Sequence, residues 1–418
     1  MDTFPRLLNL RLVIFIAVLQ IELLLIRQVS DLTPGTSNWI EKSEQILGLR
    51  IPEDNFYGPG AALMMAPFVF FGVSSYLANM FYLALGSIAY WNICSLISSR
   101  AGKAIALTAL PLNIYLIWLI DSSQDTVFEF FLLTCSVLFL VKKRILLFAL
   151  SGFLLCETRA GYWVFYLGIS GYLFIREYSK NRKIVAGKLF AFYFLIVSSL
   201  FNFVNYGSPS PALEGGVTTY FSYTKYHYLA LPKMDMDVFL SGPQGAFSSD
   251  KGPHIPTGST PAEINSIFQK AALESALANK PETLLGWMQK FDSYFFDVQK
   301  IPHLPGQYVI DLDRKVIEIG DERLSWSLII GNLIYMFYRT ALLISGLLAV
   351  GLFLGMSHLN KRSELHQFNL LPLVTPFIFG ALPGILIYTE TRFKIVSELL
   401  LIPCIVEIWT KFNQKRLN

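Results

Sequence analysis

Apolar runs dominate the chain, and their lengths decide what they are. Runs with little charge extend from Leu8 to Ile26, Tyr76 to Ile97, Ala104 to Ile120 and Thr126 to Val141, then from Ile145 to Cys156 and Gly161 to Ile175. Others cover Lys188 to Val204, Trp326 to Gly355, Phe368 to Tyr388 and Ile395 to Trp409. Most approach the ~20 residues a helix needs to cross a hydrocarbon layer. The pattern predicts an all-α polytopic membrane protein of about ten spans. Between Asn205 and Ser325 it changes: Gly, Pro, Ser and charges mix, with no apolar run long enough to span. The chain therefore divides into an N-terminal transmembrane module (1–204), a large extracytoplasmic loop (205–325) and C-terminal transmembrane helices (326–418). No repeat of solenoid period is visible.

One stretch resists this scheme. "NFYGPGAALMMAPFVFFG", Asn55 to Gly72, is apolar, yet it opens with Tyr57-Gly58-Pro59-Gly60 and is interrupted by Pro67. If it does not span, the loops holding Arg100 and Lys103, Lys142-Lys143-Arg144, Arg176 through Lys188, Lys361-Arg362 and Lys411 through Arg416 all fall on the cytoplasmic side. Short loops with few cations, "IDSSQD" and "CETRAG", then face outward, which is the positive-inside pattern. If it spans, every later loop changes side. The stretch is therefore expected to lie along the surface, with Tyr57 and a phenylalanine cluster at the headgroup boundary. Residues 27–76 become a first outer loop, 205–325 a second, and both chain ends lie inside.

Composition agrees. Hydrophobic residues make up 53% of the 418 and charged residues 15%, against about 25% charged in a soluble domain. The net charge of +4 matters less than its distribution. Cys94, Cys135, Cys156 and Cys404 sit in apolar runs without CxxC spacing and are expected as small core residues. Arg6 and Arg11 flank the first run, no small-residue cleavage site follows, and an uncleaved first span is expected. His227, His254 and His303 are scattered in the outer loop, and His358 and His366 fall on the cytoplasmic side. No HExxH spacing, Walker-type glycine loop or dinucleotide fingerprint occurs. No protein-built metal site, nucleotide substrate or nucleic-acid partner is implied.

Ionisable residues gather instead at the outer ends of spans. Asp31 follows the first span; Glu41 and Glu44 lie on a short predicted helix with Asn38 as its expected cap. Asp121 and Asp125 bracket "DSSQD", Glu157 and Arg159 sit between two apolar segments, and Glu390, Arg392 and Lys394 between the last two. Such groups at bilayer depth usually point at a partner or a water-filled cavity. Arg159 has Glu157 and Asp125 as candidate partners. Arg392 can grip a phosphate with paired hydrogen bonds or anchor the turn by snorkelling.

Several pieces resemble the GT-C membrane glycosyltransferases, with protein O-mannosyltransferases and bacterial lipid A aminoarabinose transferases as the nearest branches. "NFYGPGAALMMAPFVFFGVSSYLANMFYLALGSIAYWNICSLISSRAG" is similar to their tyrosine-proline segment and following helix. In order come "LPLNIYLIWLIDSSQDTVFEFFLL", a proline-led span with an acidic outer loop, and "LSGFLLCETRAGYWVF", a glycine-then-arginine hairpin. "FNFVNYGSPSPALEGG" resembles the start of the large outer loop, "AALESALANKPETLLGWMQKF" its amphipathic helix pair, and "YTETRFKIVSELLLIP" its last outer arginine turn.

The resemblance implies a GT-C helical bundle with membrane-parallel helices in its first outer loop. It also implies transfer of a sugar, with inversion, from a polyprenyl-phosphate donor on the outer face. A carboxylate must take the acceptor's proton, and cations must hold the lipid phosphate. The family places an aspartate in the first outer loop, which makes Asp31 the candidate base, with Glu41 or Glu44 able to take the role. In many members that aspartate stands shortly before an aromatic; here the corresponding position ahead of Trp39 is Thr36. Arg392, Lys394, Arg159 and Tyr57 are the implied donor-phosphate residues, and Asp125 and Glu390 the substrate-orienting ones. Some members bind a divalent metal, to which first-loop carboxylates could contribute; nothing in this sequence requires one. The partners implied are the bilayer, the lipid-linked sugar and an acceptor glycan, lipid or protein, in a bacterial inner membrane. An O-antigen-type polysaccharide polymerase is the alternative enzyme, and a transporter, which predicts inverted repeats, is the alternative of another class.

Overall fold

The computed structural model describes residues 10–30, 37–50, 59–122, 124–181, 186–210, 219–220, 253–278, 280–295, 308–311, 316–319, 326–358, 370–386 and 394–417. They are helical almost throughout. In order come α1 (Leu10–Ser30), α2 (Ser37–Leu47), α3 (Gly60–Phe70), α4 (Ser75–Cys94), α5 (Arg100–Leu112), α6 (Ile114–Ser122), α7 (Gln124–Val141) and α8 (Ile145–Thr158). A 3-10 turn, Ala160–Tyr162, leads into α9 (Trp163–Asn181) and α10 (Ala186–Tyr206). Next come α11 (Pro261–Ala278), α12 (Lys280–Phe295) and an antiparallel hairpin of β1 (Tyr308–Asp311) and β2 (Val316–Ile319), in which Tyr308 pairs with Ile319. Then follow α13 (Trp326–His358), a 3-10 turn at Leu371–Leu373, α14 (Thr375–Leu386) and α15 (Ile395–Leu417).

α7 lies between α4 and α8 at the centre of the bundle. Glycines let the helices meet: a Cβ on Gly86 of α4 would sit 2.5 Å from the Phe130 ring of α7, so only a bare backbone fits there. Tyr82 of α4 meets Phe128 edge-on at 5.0 Å and donates its hydroxyl to the Met64 carbonyl of α3 at 2.8 Å.

Within the apolar stretch that ends at Gly72, α3 does not run on into α4. Pro67 has no N–H to offer the Leu63 carbonyl, α3 ends at Phe70, and Gly72 turns the chain at φ +64°. Ser74 restarts it, its hydroxyl accepting from Leu77 N. The axes of α3 and α4 differ by 118°. α2 lies on α3, where Ser43 Oγ donates to Ala62 O at 2.9 Å. α2 begins at Ser37, so Asn38, the expected cap, belongs to its first turn. The run expected as one span from Ala104 to Ile120 is two helices bent by 47°: after Pro111 the helix stops, and Asn113 Oδ1 accepts from Leu116 N to start the next.

Contacts fix the two ends of the bundle. At one, Ser98 N and Oγ both donate to Glu407 Oε2, at 2.8 and 2.9 Å, joining the α4–α5 turn to the last helix. At the other, Asn79 at the start of α4 donates to Ile120 O near the end of α6, and the α8–α9 turn meets the start of α7.

Among the described residues no single helix is long and apolar enough to cross a membrane alone; α3 with α4, and α5 with α6, pass as bent pairs. The bundle's polarity is distinctive. α1 exposes Leu10, Ile14, Val18, Ile21 and Leu25, α10 exposes Ile196, Leu200 and Phe203, and α13 exposes Phe337, Ile344 and Leu348. Glu129, Arg159, Arg339, Lys394 and Glu398 are buried.

Candidate functional site

The end of the bundle opposite Glu407 holds a connected set of buried ions, and short local motifs place them. In "DTVFE" at the start of α7, Asp125 and Glu129 stand four residues apart and so share a face. Asp125, in the first helical turn, also meets the positive end of the helix dipole. α8 ends at Thr158, Arg159 is extended (φ −142°, ψ 109°), and the 3-10 turn after it brings Tyr162 round. Arg159 thereby enters between the carboxylates of α7.

Its Nε and Nη2 donate to Asp125 Oδ2 at 3.0 and 2.9 Å, and Nη2 also donates to Thr126 Oγ1 at 3.2 Å. Its Nη1 pairs with Glu129 Oε2, whose other oxygen accepts from the Tyr162 hydroxyl. Arg159 is 7% exposed and Glu129 0%. Of the two partners expected for Arg159, Asp125 is the one it takes. Glu157 turns instead to Ser198 of α10, whose hydroxyl donates to it at 2.6 Å.

A second set sits beside the first. Arg339 of α13 donates from Nη1 to Glu398 Oε1 and Oε2, at 2.7 and 2.5 Å. Lys394, just before α15, lies 3.8 Å from Glu398 and donates at 2.7 Å to the carbonyl of Tyr294, the penultimate residue of α12. The Tyr294 hydroxyl donates to Phe377 O of α14 at 2.9 Å. Burial pushes the Tyr294 phenol up, and the charges of Glu398 and then Glu129 raise it further, so it feels both ion sets. Lys290, one turn earlier on the same face of α12, is also buried, and burial brings its ammonium down to about 8.

A third contact marks the same end. Arg27, in the last turn of α1, lies 3.9 Å from Asp121 and 4.3 Å above the Tyr76 ring. α3 completes the frame: a Cβ on Gly60 would fall 2.5 Å from Thr158 N, so the start of α3 presses on the end of α8, beside Arg159. Glu41 and Glu44 lie on the exposed side of α2, away from Ser43 and its bond to α3. Asp31, Tyr57, Glu390 and Arg392 lie outside the described residues. In sequence Asp31 follows Ser30, the last residue of α1, Tyr57 precedes Gly60 and Arg392 precedes Lys394. Among the described residues no three His, Cys, Asp or Glu side chains converge as a metal site.

Compared with models of protein families, with curated proteins and with solved structures, the chain matches none. The GT-C resemblance thus rests on the quoted motifs alone.

Sequence reasoning missed Glu129, Tyr162, Tyr294, Arg339 and Glu398. A signal existed for three of them: Glu129, Arg339 and Glu398 are charges inside apolar runs, where an ion needs a partner. Chemically the arrangement is a floor of paired buried ions with α12 clasped over it through Tyr294.

Proposed function

We propose that the chain is an integral-membrane glycosyltransferase of GT-C type, moving a sugar from a polyprenyl-phosphate donor to an acceptor on the extracytoplasmic face. The membrane part is supported by the inverted polarity of the bundle, with aliphatic stripes outside and ions inside, the reverse of a water-facing surface. The observation that carries the functional part is convergence. The α2–α3 pair, the Arg159 turn, α12 and the Lys394 turn meet at one end, opposite the Glu407 end.

In this reading Asp31 takes the proton of the acceptor hydroxyl as its oxygen attacks the anomeric carbon, with Glu41 or Glu44 as substitutes. The bond to the lipid phosphate breaks on the opposite face, inverting the centre. Arg392, with Tyr57, balances the charge on the departing phosphate, whereas Lys394 and Arg159, expected beside them, are buried against carboxylates and hold the framework instead. Arg159 holds Asp125 and Glu129 in place, so the Arg159 turn and Asp125 fix the frame of that end of the bundle, while Glu390 orients substrate.

Purified protein in liposomes, supplied with a panel of polyprenyl-phosphate sugars, tests this. Asp31→Asn should abolish transfer at unchanged melting temperature; retained turnover moves the base to Glu41 or Glu44. A wild-type protein that neither binds nor consumes any such donor refutes the reading. The orientation is checked separately: a cysteine at Gly258 should label from outside, and one at Lys180 should not.

A further inference from the structure

α12 has two faces of opposite fate. Gly286, Lys290 and Tyr294, four apart, are buried against the bundle, where α12 packs on α14. Leu284, Leu285, Met288 and Phe291 point the other way and are exposed, Met288 by 63%. α11, one residue upstream, also exposes Leu273 and Leu277, four apart, beside exposed Glu274. The helix pair thus exposes six large apolar side chains, four of them on α12, which water does not favour.

The patch is joined to the apolar exterior of the bundle. The Phe291 ring lies 4.8 Å from Phe295, and Phe295 lies 5.6 Å from Phe377 of α14. The next residue, Ile378, and Leu382 one turn on, are exposed on the outside of α14. An aromatic ladder therefore carries one apolar surface from α14 onto α12. Exposed Lys270 and Lys280 stand on the same two helices. Their ammonium groups can reach lipid phosphates while their stems lie along the apolar face. Trp287, half-buried on α12, is of the type enriched at membrane boundaries.

We propose that the α11–α12 pair is seated in the headgroup layer of the outer leaflet, with lipid covering its exposed face. This rests on the membrane part of the reading above and not on the chemistry. Through Tyr294, bonded to Lys394 and to Phe377, the seat sets the position of α12 over the buried ions. The outer helix is then held by lipid on one side and by the ionic floor on the other.

The test uses the full chain in nanodiscs of phosphatidylethanolamine and phosphatidylglycerol. Met288→Cys carries an environment-sensitive fluorophore, and the unsubstituted protein, with three buried cysteines and one half-buried, gives the background. Phe337→Cys on α13 is the reference for a lipid-facing position, and Leu277→Cys repeats the reading on α11 should the first variant fail to fold. Lipids with a doxyl group near the headgroup should quench the Met288 and Leu277 labels at least about twofold more than aqueous iodide does. Iodide quenching at Met288 and Leu277 with lipid quenching at Phe337 overturns the seat and leaves the membrane reading standing. Iodide quenching at all three overturns both. Labels shielded from both quenchers, in particles of twice the mass, assign the face to a second copy and also overturn the proposal.

Discussion

Replacing Arg159 by methionine keeps the length of the stem and removes the charge that holds Asp125 and Glu129 together. Two carboxylates then remain at one helix end, one of them with no exposed surface. Removing one partner of a buried pair costs about 3–5 kcal/mol, because the charge left behind has lost its compensation. The lost bond to Thr126 adds about 1 kcal/mol. A total near the upper end is expected, on the order of 5 kcal/mol. If the loss comes from stranded charge rather than lost packing, Glu129→Gln placed on top of Arg159→Met should recover roughly half of it, although alone it is destabilising. Thermal unfolding of the wild type, both single variants and the double variant closes the cycle, with helix content read by circular dichroism. An Arg159→Met loss below about 1 kcal/mol, or a double variant less stable than Arg159→Met, refutes the ionic floor.

Further expectations follow from individual contacts. Gly60→Ala must push α3 off the Thr158 backbone and should cost about 1–3 kcal/mol in unfolding; a neutral result would mean α3 does not rest on α8. Lys290 titrates near 8 when folded against an ordinary 10.5, so the folded state is penalised for holding its proton. That penalty is full below pH ~8 and fades as pH rises toward ~10.5, so stability should increase across this window. Lys290→Met should flatten the rise; an unchanged pH profile would count against it. Lys394→Met leaves the Tyr294 carbonyl without its donor, and limited proteolysis should cut the α11–α12 segment sooner, with loss of about 1–3 kcal/mol of local protection. An unchanged cutting rate would show that α12 is held elsewhere.

Some of this was legible in the chain and some was not, for a physical reason. The break between α3 and α4 is written locally, in Pro67, Gly72 and Ser74. Asp125 as a partner of Arg159 was one of two nearby choices. The bend at Asn113 was equally local, but a run of apolar residues masked Pro111 as part of a single span. The hairpin of β1 and β2 left no strong sign in a segment read only as lacking spans.

The harder cases are the ions whose partners lie far along the chain. Arg339 meets Glu398 across 59 positions, and Lys394 meets Tyr294 across 100. Periodicity places a residue on a face; it does not say which helix that face will meet. A charge inside an apolar run carries different information. With no water beside it, it must find an opposite charge or a hydrogen bond, so each such residue predicts a partner even when the partner cannot be named. Glu129, Arg339 and Glu398 all obey that demand, and their contacts tie α7 to the Arg159 turn and α13 to α15. Ionisable residues inside apolar runs are thus the long-range restraints that the hydrophobic pattern lacks. In this chain they lead from the start of α7 to the Lys394 turn before α15.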